Sequence, residues 1–504
     1  RTATLACTVF LLLFAFAQYT TVRNYNYVCP YSHEMTHGLL LALTALAAAW
    51  QTPRWGCGAA ASAGLLLGLV AIGKIELTIA AAAGVFTSVA LMSWQSQLRT
   101  PSIAARLATV AACAAIPVGA AVLWLSSELG ATEAARSCLG GWLMASANEI
   151  RQLDFYRRGM GTLDLPASVA AMTVSAARWT VLAVAGAALS SIVGSAGRRM
   201  ALGVGVGAAI AFSLSGFDWP LMERALPLLL IGLIAWQFGA LLLSWRDRGD
   251  FARYGVLPVG HRRYGADEVD AMRLCRRVGW CTFSLALLAK IALYSRIAHY
   301  GFVLAAPAAL TVVAAVFHWL PAALTARGRN GAALAWLTAP LLIAYATAYQ
   351  CQQQRQIARD VTLGHGDDQF VVGASAAAIV TAQQRIETHV GDAESLVVLP
   401  EGVMLNYVTR RLTPTRYITW MPPELYHFGE RQMLDALRNA PPDWVLLADR
   451  DLEEYGVPPL GQGYADSIAD WIDGRYAEVD RWDEGGWRLL KEREEVAKQT
   501  SQAN

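Results

Sequence analysis

Apolar runs of about 20 residues, the length that matches the hydrocarbon core of a bilayer, recur along the first two thirds of the chain. Ten of them hold no Asp, Glu, Lys or Arg: residues 2–22, 35–53, 55–73, 77–98, 107–127, 179–197, 200–217, 225–245, 297–326 and 331–354. An eleventh, 278–295, is interrupted only by Lys290. A backbone in lipid has to satisfy its own hydrogen bonds, so each run is expected as a helix. Their Ala, Gly and Leu content suits close packing in a bundle. The pattern predicts a polytopic α-helical membrane region of about eleven transmembrane helices over residues 1–354.

From residue 355 the periodicity changes. Residues 374–390, 423–439 and 464–472 read as helices. Between and after them, 395–400 (SLVVLP), 443–448 (DWVLLA), 476–482 and 487–491 read as strands. Short apolar strands separated by helices predict an α/β sheet covered on both faces, in a second domain over 355–504. A stretch of this size can hold its own core. No GxGxxG follows a strand and no GxxxxGK occurs, so nucleotide binding has no motif behind it.

Charge adds an orientation. Only 16% of the 504 residues are charged, low for a soluble chain. From residue 354 onward there are 15 basic and 25 acidic residues, a net of −10; the whole chain carries +2, which leaves +12 for the helical part. One set of alternate loops holds 15 basic residues, eight of them between Arg246 and Arg277, against about eight in the other set. The richer set is expected in the cytoplasm, which places the C-terminal domain outside it. The chain opens on Arg1 and enters its first span at once, with no basic leader region and no clear cleavage site, so further sequence is expected upstream.

Eight cysteines are scattered without CxxC spacing, as expected of small packing residues. Cys29, Cys138 and Cys351 would share the outer side, compatible with one disulfide.

Four stretches carry candidate chemistry. The first outer loop, RNYNYVCPYSHEMTHG, brings Tyr31, His33, Glu34 and His37 to the mouth of a helix. His33 to His37 spells HExxH, the zinc-protease spacing. It sits at a membrane boundary and no third ligand is evident, so an interfacial aromatic belt or a substrate-contacting loop fits better. In AIGKIELT, Lys74 and Glu76 lie between two apolar runs, where ionisable groups snorkel to the interface, face a cavity or face each other. Two residues apart, they do not share a helix face. The long outer loop interleaves Tyr156, Arg157 and Arg158, a solvated loop or a surface for an anionic, partly apolar head group. Finally, LLAKIALYSRIAHYGF groups Lys290, Arg296, His299 and Tyr300 where two runs meet the outer face. Three cations there call for an anion or for carboxylates; a polyprenyl phosphate and the acids of the long loop both qualify.

The hairpin GLLLGLVAIGKIE, the segment KIALYSRIAHYGF, and the tail's LPEGVMLNYVTRR, TPTRY, PPELYHFGE and PPDWVLLADRD resemble bacterial membrane glycosyltransferases of the GT-C superfamily. The likeness lies near the dolichyl-phosphate-mannose protein mannosyltransferases (family 39) and the lipid A aminoarabinose transferases, and covers nearly the whole chain. It implies 11 to 13 spans, residence in the cytoplasmic (inner) membrane and an extracytoplasmic C-terminal domain. It also implies transfer of a sugar, usually with inversion, from a polyprenyl-phosphate carrier to a protein, lipid or glycan acceptor. The implied catalytic acid lies in the first outer loop. Glu34 is the only acid in the corresponding loop here, so the implied base is either Glu34 or a residue upstream of Arg1. The resemblance implies donor-phosphate binding by Lys290, Arg296, His299 and Tyr300. Substrate contacts then fall to Tyr31, His33, Lys74, Glu76, Tyr156, Arg157 and Arg158. No cofactor is required, because the carrier supplies its own leaving group; metal dependence stays open and no nucleic-acid partner is implied. A transporter or lipid flippase, or an inactive scaffold of the same fold, is the alternative.

Overall fold

The computed structural model describes residues 2–17, 25–28, 32–96, 100–254, 266–357, 361–373, 376–482 and 486–493. The chain divides into two compact units. The first comprises Arg1–Leu143 and Gly159–Gln354, and the second Met144–Arg158 and Arg355–Asn504.

The first unit is a helical bundle. Among the described residues, seven helices are long and apolar enough to cross a membrane. They correspond to the runs at 77–98, 107–127, 179–197, 225–245, 278–295, 297–326 and 331–354. The other four fall short of the predicted eleven. Run 2–22 yields, among its described residues, Thr2–Phe10 continued by a wide π turn at Leu11–Ala15; residues 18–22 lie outside the described residues. Run 35–53 yields His33–Ala49, which ends shortly before a separate short helix, Thr52–Trp55, with Pro53 in its first turn. Run 55–73 yields Cys57–Ala71, whose 15 residues reach about 22 Å at 1.5 Å per residue, less than the ~30 Å hydrocarbon core. Run 200–217 yields the later part of Gly194–Leu214, which starts before the run, ends before it does, and carries Arg198 and Arg199 in its first turns.

Ile75–Gln95 is the most enclosed of the seven helices. Around it, Leu46, Leu77, Val85, Phe283, Leu287, Phe302 and Leu304 form one core. Other helices turn large apolar side chains outward: on Thr100–Leu129, Leu123 and Trp124 are each 76% exposed. Such faces are costly in water and suit lipid, so the unit is compatible with a multi-pass membrane protein.

The second unit holds a two-stranded sheet, β1 (Val361–Leu363) with β2 (Phe370–Val372), and a four-stranded sheet. The larger sheet has the order β3 (Leu396–Leu399), β4 (Trp444–Leu447), β6 (Trp487–Glu492), β5 (Tyr476–Trp482). The β3–β4 pair is parallel and the other two pairs are antiparallel. β3 and β4 bury both faces, as continuous apolar runs demand, while the edge strand β5 is largely exposed. Val397, Leu399 and Val445 enter one core with Trp420 and Met433, while Leu396, Val398 and Leu446 enter another with Ile386 and Leu405. The helix expected over 423–439 is two helices, Pro422–Phe428 and Glu430–Asn439, parted at Gly429 with φ 85°. The segment Met144–Arg158, expected as part of the long loop, packs with this unit through the buried Ile150 and Leu153.

Candidate functional site

Charge inside the first unit gathers on one irregular stretch. The helix Ala266–Leu288 gives way to a 3-10 turn, Ala289–Tyr294, and the chain runs irregularly to the short helix Gly301–Leu304. Ser295 caps this break by donating its hydroxyl to the Ile291 and Ala292 carbonyls. His299 takes a left-handed backbone with φ 58°, costly for a residue with a Cβ and common where side chains are aimed for function. Gly301 follows; a Cβ there would run into the Arg296 carbonyl, so only glycine closes this turn. The break aims Lys290, Arg296, His299 and Tyr300 from one short segment.

Each cation of this stretch meets a specific partner. Lys290 Nζ donates to Glu76 Oε1 at 2.5 Å and lies 5.4 Å from the Tyr300 ring centroid. Tyr300 meets the His299 ring edge-on at 4.4 Å, and His299 lies 4.3 Å from Tyr25. Lys74, at the start of the same helix as Glu76, pairs with Glu34 at 3.0 Å. The two residues of the KIE hairpin thus reach outward to different partners, as their spacing requires. The result is an alternating series: Glu34 with Lys74, then Glu76 with Lys290. Partial burial opposes the Glu34 charge, yet its own backbone amide and Lys74 hold its carboxyl below the usual range. Lys290 therefore finds its acid in Glu76 rather than in the long loop.

Arg296 differs from the lysines. Its guanidinium lies over the Tyr294 ring, 4.7 Å from the centroid, and Arg224 lies over the same ring at 3.5 Å. Burial pulls the Arg296 guanidinium below its ordinary pKa, although arginine stays charged. Its Nη1 is buried and finds no hydrogen-bond partner among the described residues, and the same holds for Glu76 Oε2.

Two cavities lie in this unit, and the first reaches the polar stretch at Ile297. One, of about 550 Å³, is walled almost wholly by apolar side chains such as Leu13, Val181, Phe317 and Leu341, with Glu223, Ile297 and Tyr345 also in its lining. The other, of about 510 Å³, is lined by Tyr27, His33, His37, Trp280 and Pro307. The His33 and His37 rings stand 5.9 Å apart, and Glu34 is engaged by Lys74 rather than turned to them. Among the described residues no group of three or more His, Cys, Asp or Glu side chains stands together as a metal site.

The remaining candidates lie elsewhere. Tyr156, Arg157 and Arg158 sit on the short helix Asp154–Met160, in the part that belongs to the second unit. Arg157 pairs with Asp154 at 3.4 Å, Arg158 is exposed, and Phe155 stacks on Tyr455 at 5.0 Å. Tyr31 and Cys29 lie outside the described residues. Cys138 and Cys351 are free thiols.

Sequence reading passed over Glu223, Arg224, Tyr294 and Tyr345. Glu223 is only 6% exposed. Its Oε1 accepts from the Tyr345 hydroxyl and its Oε2 from the Ile297 amide, both at 2.6 Å. The signal was an acid beside a long apolar run, in a sequence (DWPLMERALP) otherwise read as a loop. An ionisable group at that depth is a functional candidate in its own right.

Comparison with known proteins finds no matching family model and no matching curated protein.

Proposed function

We propose that this chain is an integral membrane glycosyltransferase. In this reading it takes a sugar from a polyprenyl-phosphate carrier and passes it to an acceptor on the extracytoplasmic side of a bacterial inner membrane. The observation that carries the proposal is the buried Nη1 of Arg296, which has no hydrogen-bond partner among the described residues. It is flanked by Lys290 and His299 on a fixed break, and the residue after it, Ile297, lines an apolar cavity. A cation beside an apolar cavity is complementary to a lipid phosphate, whose head needs charge-assisted hydrogen bonds and whose tail needs a dry wall.

The chemistry follows from that complementarity. The acceptor hydroxyl attacks the anomeric carbon, and the bond from that carbon to the phosphate oxygen breaks. The phosphate leaves with the electron pair, and its growing charge is met by Arg296, Lys290 and His299. A carboxylate takes the hydroxyl proton, a role for which Glu34 and Glu76 stand in the same row of charges. The Tyr156–Arg158 segment and the tail sheet form the second unit, to which we assign acceptor selection. Helices too short to span a flat bilayer, such as Cys57–Ala71, complete the membrane part by packing one face into the bundle core.

The test is a transfer assay on full-length protein in liposomes, with radiolabelled polyprenyl-phosphate sugars. Sugar release to water or acceptor is expected, and Arg296→Ala should reduce it by about 10²–10³, the usual loss for a transition-state charge donor. Absence of release from every common carrier, with the protein folded, would discard the reading.

A further inference from the structure

One dipeptide holds both flanks of Arg296. Glu223 accepts from the Ile297 amide at 2.6 Å, and Arg224 donates to the Ser295 carbonyl at 3.0 Å. The second oxygen of Glu223 accepts from the Tyr345 hydroxyl at 2.6 Å. Glu223, Ile297 and Tyr345 all line the larger apolar cavity. Anything that fills the cavity therefore bears on residues bonded to the segment that carries Arg296. Side-chain contacts reinforce the tie, since Arg224 and Arg296 both lie over Tyr294. On the far side, the close approach of Gly301 to the Arg296 carbonyl leaves this turn no room to slide. In a close-packed interior a displacement at the cavity wall is transmitted rather than absorbed.

We propose that Glu223, Arg224 and Tyr345 are positioning residues that couple occupation of the apolar cavity to the placement of the Arg296 guanidinium. The hydrocarbon chain of an anionic lipid and its phosphate then bind cooperatively, each favouring the conformation the other requires. The proposal rests on the reading of the donor given above and deepens it: a long chain sets the geometry at the phosphate as well as anchoring the molecule. Because coupling between sites is reciprocal, the phosphate strengthens tail binding by the same factor.

The test separates head from tail. Affinities of full-length protein in nanodiscs are measured for geranyl phosphate, a long-chain polyprenyl phosphate and the two corresponding alcohols. The gain from adding phosphate is expected to be about tenfold larger on the long chain than on the short one, within the usual range of coupling. Tyr345→Phe removes one hydroxyl and leaves the cavity shape intact, and should bring the two gains together. Glu223→Gln keeps an acceptor for the Ile297 amide and should retain part of the difference. Arg296→Ala should lose the phosphate gain on both chains. Equal gains in the wild type overturn the coupling, and so does a difference untouched by both Tyr345→Phe and Glu223→Gln. Coupling without sugar transfer would sink the glycosyltransferase reading and leave the clamp standing; transfer without coupling would do the reverse.

Discussion

Glu478, in the tail, takes two arginines at once, with Arg481 and Arg488 each donating to it at 2.8 Å. Glu223, in the helical unit, accepts instead from a tyrosine and a backbone amide. Those arginines hold the Glu478 carboxyl down at about 2, but the group is solvated, and an exposed pair of this kind contributes only about 0.2–1 kcal/mol. Burial makes the Glu223 arrangement weightier, because a carboxylate out of water depends on fixed donors and leaves a full desolvation penalty if one is lost. Charge at Glu478 decorates a strand; charge at Glu223 decides where a particular segment sits.

The largest expected effect tests the first half of that contrast. Trp420 is 1% exposed at the centre of one tail core, and Trp420→Ala should destabilise the tail by about 3–5 kcal/mol. Limited proteolysis of the full-length protein should then cut within 376–482 while the bundle resists; an uncut tail would show that its core is not what holds it. Glu76→Leu addresses the second half. It leaves Lys290 without its carboxylate and should cost about 1–3 kcal/mol, read as a lowered melting temperature. Adding Lys290→Met should recover part of that loss, and a single variant as stable as wild type would reduce the row of charges to decoration too. Arg296→Lys keeps the charge but loses the planar stack on Tyr294, so transfer should fall by about tenfold, less than for Arg296→Ala. Equal losses in the two variants would mean that the stack, and not the charge, is what matters there. The smallest effect belongs to Glu478. A carboxyl lowered in the folded state stabilises above its ordinary value of 4.5 and loses that contribution as pH falls toward about 2. Hydrogen exchange of the β5–β6 amides should therefore differ slightly between wild type and Glu478→Gln near neutral pH, and the difference should vanish across that window.

The tail strands were legible because each is a short apolar run with polar punctuation on both sides. The run 423–439 misled only in continuity, and Gly429 within it was the available hint. Span number was less legible, since composition sees apolarity but not where a helix stops. His33–Ala49 stops before the short helix Thr52–Trp55, which holds Pro53, and Cys57–Ala71 starts only after the turn at Gly56. At the site, Lys290, Arg296, His299 and Tyr300 stood out because they lie within one short segment. Their partners did not: Glu76 meets Lys290 across 214 positions and Tyr345 meets Glu223 across 122. Pairings of that range are set by how helices pack, which no local pattern records.

The segment Met144–Arg158 has a consequence for how the protein is made. Ribosomes emit chains in order at about 5–20 residues per second, so this piece of the second unit emerges well before the strands it joins. Its Phe155 has no Tyr455 to stack on, and its Asp154 no Gly456 to lie against, until the last third of the chain has been synthesised. The second unit is thus assembled from two stretches of chain far apart in sequence, and translation must be nearly finished before it can be complete. A fragment beginning at residue 355 would be born without one of its own pieces.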